Sequence, residues 1–340
     1  MTLLETLASL VAIPAPPGQE GDVVNWLKDR ISRPSRIDAK GNLLVSLSSG
    51  EPRVVVTAHC DEIALMVRQV EADGGLRVVP MGGIHPWKLG EGPVLALGAR
   101  EAVTGVLSFG SIHTEDPRAV VRQCDSSALN WSDARVFTGQ TPEKLAAAGV
   151  RVGTRVVVHP SRRAVVTLGD YCGSYFLDDR ADLVAWLLAL ESLRDAELPV
   201  LFAATVSEEV GGEGAQYLLH ELRAEAVVAL ELGPNVPDAP VRLDAAPTVW
   251  AKDTYAAMAA SDLDLITALE PDVQLQALSR GGSDASIAAS TGLCARPFTL
   301  GIPMENGHGF EIMHRGAMQA LADLTVKLVR ELCETRPGSR

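Results

Sequence analysis

Arg53-Val-Val-Val-Thr-Ala-His-Cys-Asp61 is the stretch that decides the fold of this chain. Its apolar run, residues 53–58, is rich in β-branched side chains and has no polar face, so it reads as a central strand covered on both sides. A histidine and an aspartate follow at once. Ligands of an open α/β sheet lie outside the carboxyl ends of its strands, so His59 and Asp61 fall where such a site is expected.

Upstream, two amphipathic segments, residues 3–13 and 20–31, are separated by Pro14-Ala-Pro-Pro-Gly18, which cannot continue a helix. Residues 42–46 read as a further strand. Downstream the texture changes: from 67 to 166, short Val/Leu runs are punctuated by Asp73-Gly-Gly75, Met81-Gly-Gly83, Gly90-Glu-Gly-Pro93 and Gly139, with one helical stretch at 142–148. That pattern predicts a small all-β unit. Alternation then resumes, with a helix at 179–194 that is apolar almost all round, a strand at 200–206, a helix at 215–222 and a strand at 226–230. Further units follow at 273–278 and 284–290, and a closing helix at 317–332. The expected architecture is a mixed, mostly parallel α/β sheet flanked by helices, formed by residues 1–66 plus 167–340, with residues 67–166 inserted as a β-rich, barrel-like unit.

The composition narrows the function. The 340 residues carry 30 Lys and Arg against 43 Asp and Glu, a formal net charge of −13, which repels nucleic-acid phosphates and anionic lipid alike. Neither nucleic acid nor membrane is an expected partner, and apolar stretches such as 185–190 fall far short of the ~20 residues that span a bilayer. The first residues, Met1-Thr-Leu-Leu-Glu-Thr6, lack a basic leader, so a cytoplasmic location is expected. The five cysteines, Cys60, Cys124, Cys172, Cys294 and Cys333, form no CxxC pair and read as reduced, mostly buried thiols.

The polar residues that follow each apolar run form a pattern: His59-Cys-Asp61, then Asp178-Asp179-Arg180 after Tyr175-Phe-Leu177, then Ser207-Glu208-Glu209, then Glu231, and His308 beyond Leu300-Gly-Ile-Pro303. Carboxylates gathered at one sheet edge repel one another unless a cation or a shared proton intervenes. Two imidazoles with several carboxylates and no thiolate pair suit divalent zinc, cobalt or manganese, and they outnumber the ligands of one tetrahedral ion. Two metals bridged by a carboxylate are therefore expected. His59 and Asp61 lie two apart on an extended chain and share a face, which predicts that Asp61 supports the imidazole from behind. Of Glu208 and Glu209, which point different ways, one would ligate and the other act as general base; chemistry alone leaves that choice open.

Together, Ala58-His-Cys-Asp-Glu-Ile63, Leu177-Asp-Asp-Arg180, Ser207-Glu-Glu-Val-Gly211 with Gly214-Ala215, Gly281-Gly-Ser-Asp-Ala285, and Gly301-Ile-Pro303 followed by His308 resemble the M42 family of metallo-aminopeptidases. These are the tetrahedral, glutamyl-aminopeptidase-like enzymes related to the M28, M18 and M20 metallopeptidases. The resemblance implies a two-metal aminopeptidase with two divalent ions per subunit, zinc first, cobalt or manganese next. It implies that His59 and Glu231 hold one metal, that Glu209 and His308 hold the other, and that the Asp178 carboxylate bridges them, with a cis peptide bond between Asp178 and Asp179. Glu208 would be the general base, with Asp61 and Asp179 behind the ligands. It further implies that the inserted unit is a dimerisation domain whose dimers build hollow dodecamers acting on peptides. Two positions depart from the family pattern: Glu231 stands where Asp is usual, and Glu305 stands where a cation is common. Both keep open a metal-dependent amidase, deacylase or carboxypeptidase-like hydrolase acting on a blocked peptide. A non-catalytic oligomeric scaffold that retains the site is the alternative of another class.

Simpler roles compete for several residues. Asp178 or Asp179 could start a helix, and Asp179 is expected to do so. Asp284 could be a helix-start residue or a substrate contact. Gly211, Gly212 and Gly214 lack the lysine of a phosphate loop, so nucleotide binding is not expected. His85, His113, His159 and His220 belong to no motif. Trp87, Trp131 and Trp250 suit a pocket or an interface equally. An endoglucanase reading is disfavoured, because metal would engage the carboxylates that such chemistry needs free.

Overall fold

The computed structural model describes residues 1–124 and 127–334. Strands are numbered in chain order. β1 (Ser35–Ile37), β2 (Leu43–Ser46) and β3 (Val54–His59) lead into β4 (Ala64–Val70), β5 (Leu76–Met81), β6 (Gly92–Leu97), β7 (Ala102–Ser108), β8 (Arg135–Phe137) and β9 (Arg155–Val158). β10 (Val166–Leu168), β11 (Tyr171–Tyr175), β12 (Val200–Thr205) and β13 (Ala224–Pro234) follow, then β14 (Thr248–Lys252), β15 (Gln274–Ala277), β16 (Cys294–Glu305) and β17 (Phe310–His314).

Every residue of β3 is buried, as its apolar run requires. It lies inside an 11-stranded sheet ordered β1-β2-β12-β3-β13-β16-β17-β11-β10, with β14 joined to β16 and β15 to β14. The centre, β12-β3-β13-β16, is parallel, and antiparallel strands flank it on both sides. The parallel character is thus confined to strands whose connections run back over a face through helices or the barrel. On one face, helices Leu3–Val11, Leu177–Ser192 and Ala317–Glu334 bury Leu7, Leu10, Trp186, Leu321 and Leu328 against Val54, Val56 and Phe202. Helices Glu213–Glu221 and Asp284–Ser290 cover the other with Leu218, Leu219, Ala285 and Ala288.

The inserted unit closes into an antiparallel barrel, β4-β5-β8-β7-β6-β9, filled by Leu65, Val67, Leu76, Val78, Val94, Val136 and Val156. Helix Pro142–Ala148 occupies the predicted residues; Thr141 accepts the Lys144 N–H at its start, and Gly149, at φ +83°, ends it. β16 was not foreseen as a twelve-residue strand. Pro297, Gly301 and Pro303 break its apolar pattern, and pairing with β13 along residues 224–234, helped by β14 and β17, keeps it extended. Among the described residues no helix is long and apolar enough to cross a membrane, and the five cysteines are unpaired, three of them buried.

Candidate metal and catalytic site

Register brings the strand ends level. Thr205 pairs with His59 across β12 and β3, and Glu231 pairs with Gly301 across β13 and β16. Gly301 is glycine for a packing reason: a Cβ there would stand 2.6 Å from Thr248 Oγ1 and 2.9 Å from the Glu231 carbonyl oxygen. The glycine lets β14 and β13 both close on β16 beside Glu231.

His59 is 2% exposed. Its backbone N–H donates to Asp179 Oδ2 at 2.7 Å, and its Nδ1 lies 3.2 Å from the Asp61 carbonyl oxygen. A proton on Nδ1 satisfies that carbonyl and leaves Nε2, 3.1 Å from Asp178 Oδ1, as a free donor atom for a ligand. His308 stands in the turn between β16 and β17 at φ +57°. Its Nδ1 faces the Gly83 carbonyl oxygen of the barrel at 2.8 Å, and its Nε2 is 3.3 Å from Asp178 Oδ2 and 3.8 Å from Glu209 Oε1. Asp178 therefore offers one carboxylate oxygen to each imidazole. Its peptide bond to Asp179 is cis.

Among the described residues, two groups of side chains have ligand atoms within 4.8 Å of one another: His59, Asp178, Asp179 and Glu231, and Asp178, Glu209 and His308. Asp178 belongs to both. His314, the other histidine of that region, is not in either group; it packs edge-on against Tyr171. Asp179 does not act as the helix cap that the sequence suggested. Its Oδ2 accepts the His59 amide and its Oδ1 has no hydrogen-bond partner among the described residues, so neither oxygen caps the helix. Asp61 does more than stand behind His59. Its carboxylate oxygen stays 3.5 Å from His59 Nδ1, while Oδ1 and Oδ2 accept the backbone N–H groups of Glu208 (2.9 Å) and Glu209 (3.0 Å). Asp284 is 2% exposed and accepts from the Thr205 hydroxyl at 2.6 Å, at the first turn of its helix.

The electrostatics follow from burying acids together. Burial, reinforced by Asp284, Glu209 and Asp61, raises Glu208 well above the usual carboxyl range against the pull of His59. Burial raises Glu209 to about 7 although His308 and His59 pull it down, and burial with the nearby Glu208 raises Glu231 strongly. For Asp178, burial is outweighed by hydrogen bonds from His308 and His59, and its pKa lies below the usual range. A set of buried carboxylates held at such a disadvantage, with two imidazole nitrogens aimed among them, is the donor set of a divalent-cation site.

The sequence pattern missed Glu311. This 1% exposed residue of β17 accepts the N–H of His308 (2.8 Å) and of Asp178 (3.0 Å), tying the two together from behind. The available signal was an acidic residue inside the otherwise apolar run Phe310–Met313. Of the histidines outside the motifs, His85 stacks near Trp87, and His113 and His159 bond neighbouring serines. Trp250 is buried, the Trp131 indole donates to the Ile84 carbonyl, and Trp87 is exposed.

Known proteins resemble this chain in fold and sequence. The TET1 peptidase of Pyrococcus horikoshii, which can assemble into a tetrahedron or a large octahedral shell, superposes with a TM-score of 0.86 at 27% identity, covering 96% of this chain and 99% of that one. A glutamyl aminopeptidase of Lactococcus lactis subsp. cremoris is 29% identical over 243 residues, 69% of this chain and 67% of that protein. A lysyl aminopeptidase of Pyrococcus furiosus is 30% identical over 217 residues, 62% of this chain but only 59% of that protein's length. The model of the M42 glutamyl aminopeptidases matches residues 41–324, a span that takes in His59, Asp178, Glu208, Glu209, Glu231 and His308, and the chain belongs to that family of peptide hydrolases.

Proposed function

We propose that the protein is a two-metal aminopeptidase that removes N-terminal residues from peptides. The observation that carries this reading is Asp178, whose two carboxylate oxygens face His59 on one side and His308 on the other. His59 and Glu231 would hold one ion and Glu209 and His308 the other, with Asp178 shared; zinc suits this set, as do cobalt and manganese. When bound, the ions supply Lewis acidity, polarising a carbonyl and making water acidic enough to lose a proton near neutral pH. Glu208, 9% exposed and raised chiefly by burial, would accept a proton from water and pass it to the leaving amine. Asp61 fixes the backbone from which Glu208 and Glu209 project.

Self-association through the barrel belongs to the same reading. Trp87, Ile112, Phe137 and Val152 are all more than half exposed there, the kind of apolar surface that a second subunit covers. The five unpaired thiols suit a reducing, cytoplasmic setting.

Glu208→Gln tests the assignment. The variant should keep its metal content and lose about 10²–10⁴-fold in turnover of aminoacyl p-nitroanilides. Undiminished turnover refutes the role of Glu208, and cleavage of acylated dipeptides in place of free aminoacyl substrates moves the reading to a deacylase.

A further inference from the structure

At the end of β12, four consecutive backbone N–H groups each meet a side-chain acceptor. Val206 donates to Asn42 Oδ1 at 3.1 Å, Ser207 to Glu20 Oε1 at 3.1 Å, Glu208 to Asp61 Oδ1 at 2.9 Å and Glu209 to Asp61 Oδ2 at 3.0 Å. The acceptors come from three separate stretches of chain, and all three residues are buried. Ser207 is the residue that turns the chain out of the strand, and it does so at φ +58°, a left-handed conformation that a side chain with a Cβ rarely adopts. Such a residue persists only where its surroundings over-determine it.

Glu20 supplies that determination. It is 5% exposed and sits at the N-cap position of helix Gly21–Lys28, yet it makes no capping bond to that helix. Its Oε1 instead accepts from the Ser207 hydroxyl at 3.1 Å as well as the Ser207 amide, and from the Gly18 amide at 2.7 Å. A single carboxylate oxygen therefore fastens the catalytic turn to the segment between the first two helices. Arg155 of the barrel donates to the Pro17 carbonyl at 3.1 Å, and the Glu62 amide donates to the Ala15 carbonyl at 3.0 Å, so this segment is itself anchored.

We propose that Glu20 is a positioning residue for Glu208: by holding Ser207 in its left-handed conformation, it sets where the adjacent Glu208 carboxylate projects, while Asp61 holds the Glu209 amide independently. The inference rests on the reading of Glu208 as general base. A general base displaced by about 1 Å loses up to roughly 10²-fold in rate. Glu20→Ala should therefore lower kcat by roughly 10- to 100-fold with KM and metal content little changed. Backbone amides at 206–209 should exchange hydrogen faster, while those of β3 and β13 do not. In Glu20→Gln the amide oxygen can accept the same three bonds, so kcat should return to within about threefold of wild type. Glu20→Asp, one methylene shorter, should behave like the alanine variant, and it serves if that variant does not fold.

Wild-type kcat in Glu20→Asp overturns the proposal. So does a loss of activity accompanied by loss of metal or by faster exchange throughout the sheet, since either would make Glu20 a general support of the fold. The exchange measurement needs no turnover: an inactive wild type would refute the peptidase reading, and the clamp would then stand or fall on the amides at 206–209 alone.

Discussion

Where the chain passes from the sheet into the barrel and back, one buried carboxylate lies between two buried guanidinium groups. The side chains of Glu62, Arg163 and Arg180 are at most 1% exposed. Arg163 grips Glu62 with two bonds of 2.6 Å, and Arg180 adds one of 2.9 Å. Further donors reach main-chain carbonyls, Arg163 those of Val11 (2.7 Å) and Ile13 (3.1 Å) and Arg180 that of Cys60 (2.6 Å), while Arg180 Nε has no hydrogen-bond partner among the described residues. Burial already lowers the Arg180 pKa against the support of Glu62. Glu62→Gln keeps the shape of the side chain but leaves two cations in a low-dielectric interior with no counter-charge. Removing one partner of a buried ion pair costs about 3–5 kcal/mol, and that is the expected loss. In Glu62→Gln/Arg163→Met only one unpaired cation remains, so the double variant should be more stable than the two single losses sum to, with a coupling of at least about 1 kcal/mol. Urea unfolding at neutral pH, read as midpoints with matched m-values, measures both quantities. Because the same network holds the Cys60 carbonyl between His59 and Asp61, metal affinity should fall in Glu62→Gln as well. A loss under about 1 kcal/mol, or simple additivity of the two substitutions, refutes this account of the junction.

Two further outcomes follow from individual environments. Burial pushes the thiols of Cys172 and Cys294 up to about 11 and raises Cys60 further still, while Cys124 is exposed. A thiol reagent at about pH 8 should therefore label Cys124 in the native protein, with Cys60, Cys172 and Cys294 reacting only after denaturation; prompt labelling of those three would contradict their burial. In the barrel, hydrogen bonds from Arg135 and Arg77 hold Glu71 below its ordinary pKa. A depressed carboxyl stabilises the fold above its unfolded pKa of about 4.3, and that stability is lost as pH falls through the lower folded value. Urea midpoints should fall below about pH 4, and Arg135→Gln should flatten that limb; an identical acid limb in the variant would remove Glu71 as its source.

Much of the site was legible because its chemistry follows strands. His59, Glu208, Glu209 and Glu231 lie in or just beyond runs whose apolar, β-branched composition specifies a buried strand, and the general placement of ligands at strand ends does the rest. The barrel was legible from its turn residues, because closely spaced glycines between short Val/Leu runs mark successive strand turns, with the seven-residue helix Pro142–Ala148 as an exception. β16 was hidden by its own prolines and glycine, whose reason is the close approach of β14 and β13. Glu20, Asn42 and Glu311 were not legible as site residues, since each supports backbone far away in sequence, and no local pattern marks which distant amide a buried acceptor will meet.

By itself, then, the sequence determined the central strands and flanking helices that it spells out, the β-rich texture of the barrel and the acidic and imidazole residues gathered at strand ends, because periodicity and residue type are local properties. Only the tertiary structure decided that Asp178 faces both imidazoles, that Asp61 serves the Glu208–Glu209 backbone as well as His59, and that a barrel carbonyl orients His308. Each of these depends on donor and acceptor meeting within about 3 Å, and hydrogen-bond distance is fixed by the packing of elements far apart in the chain.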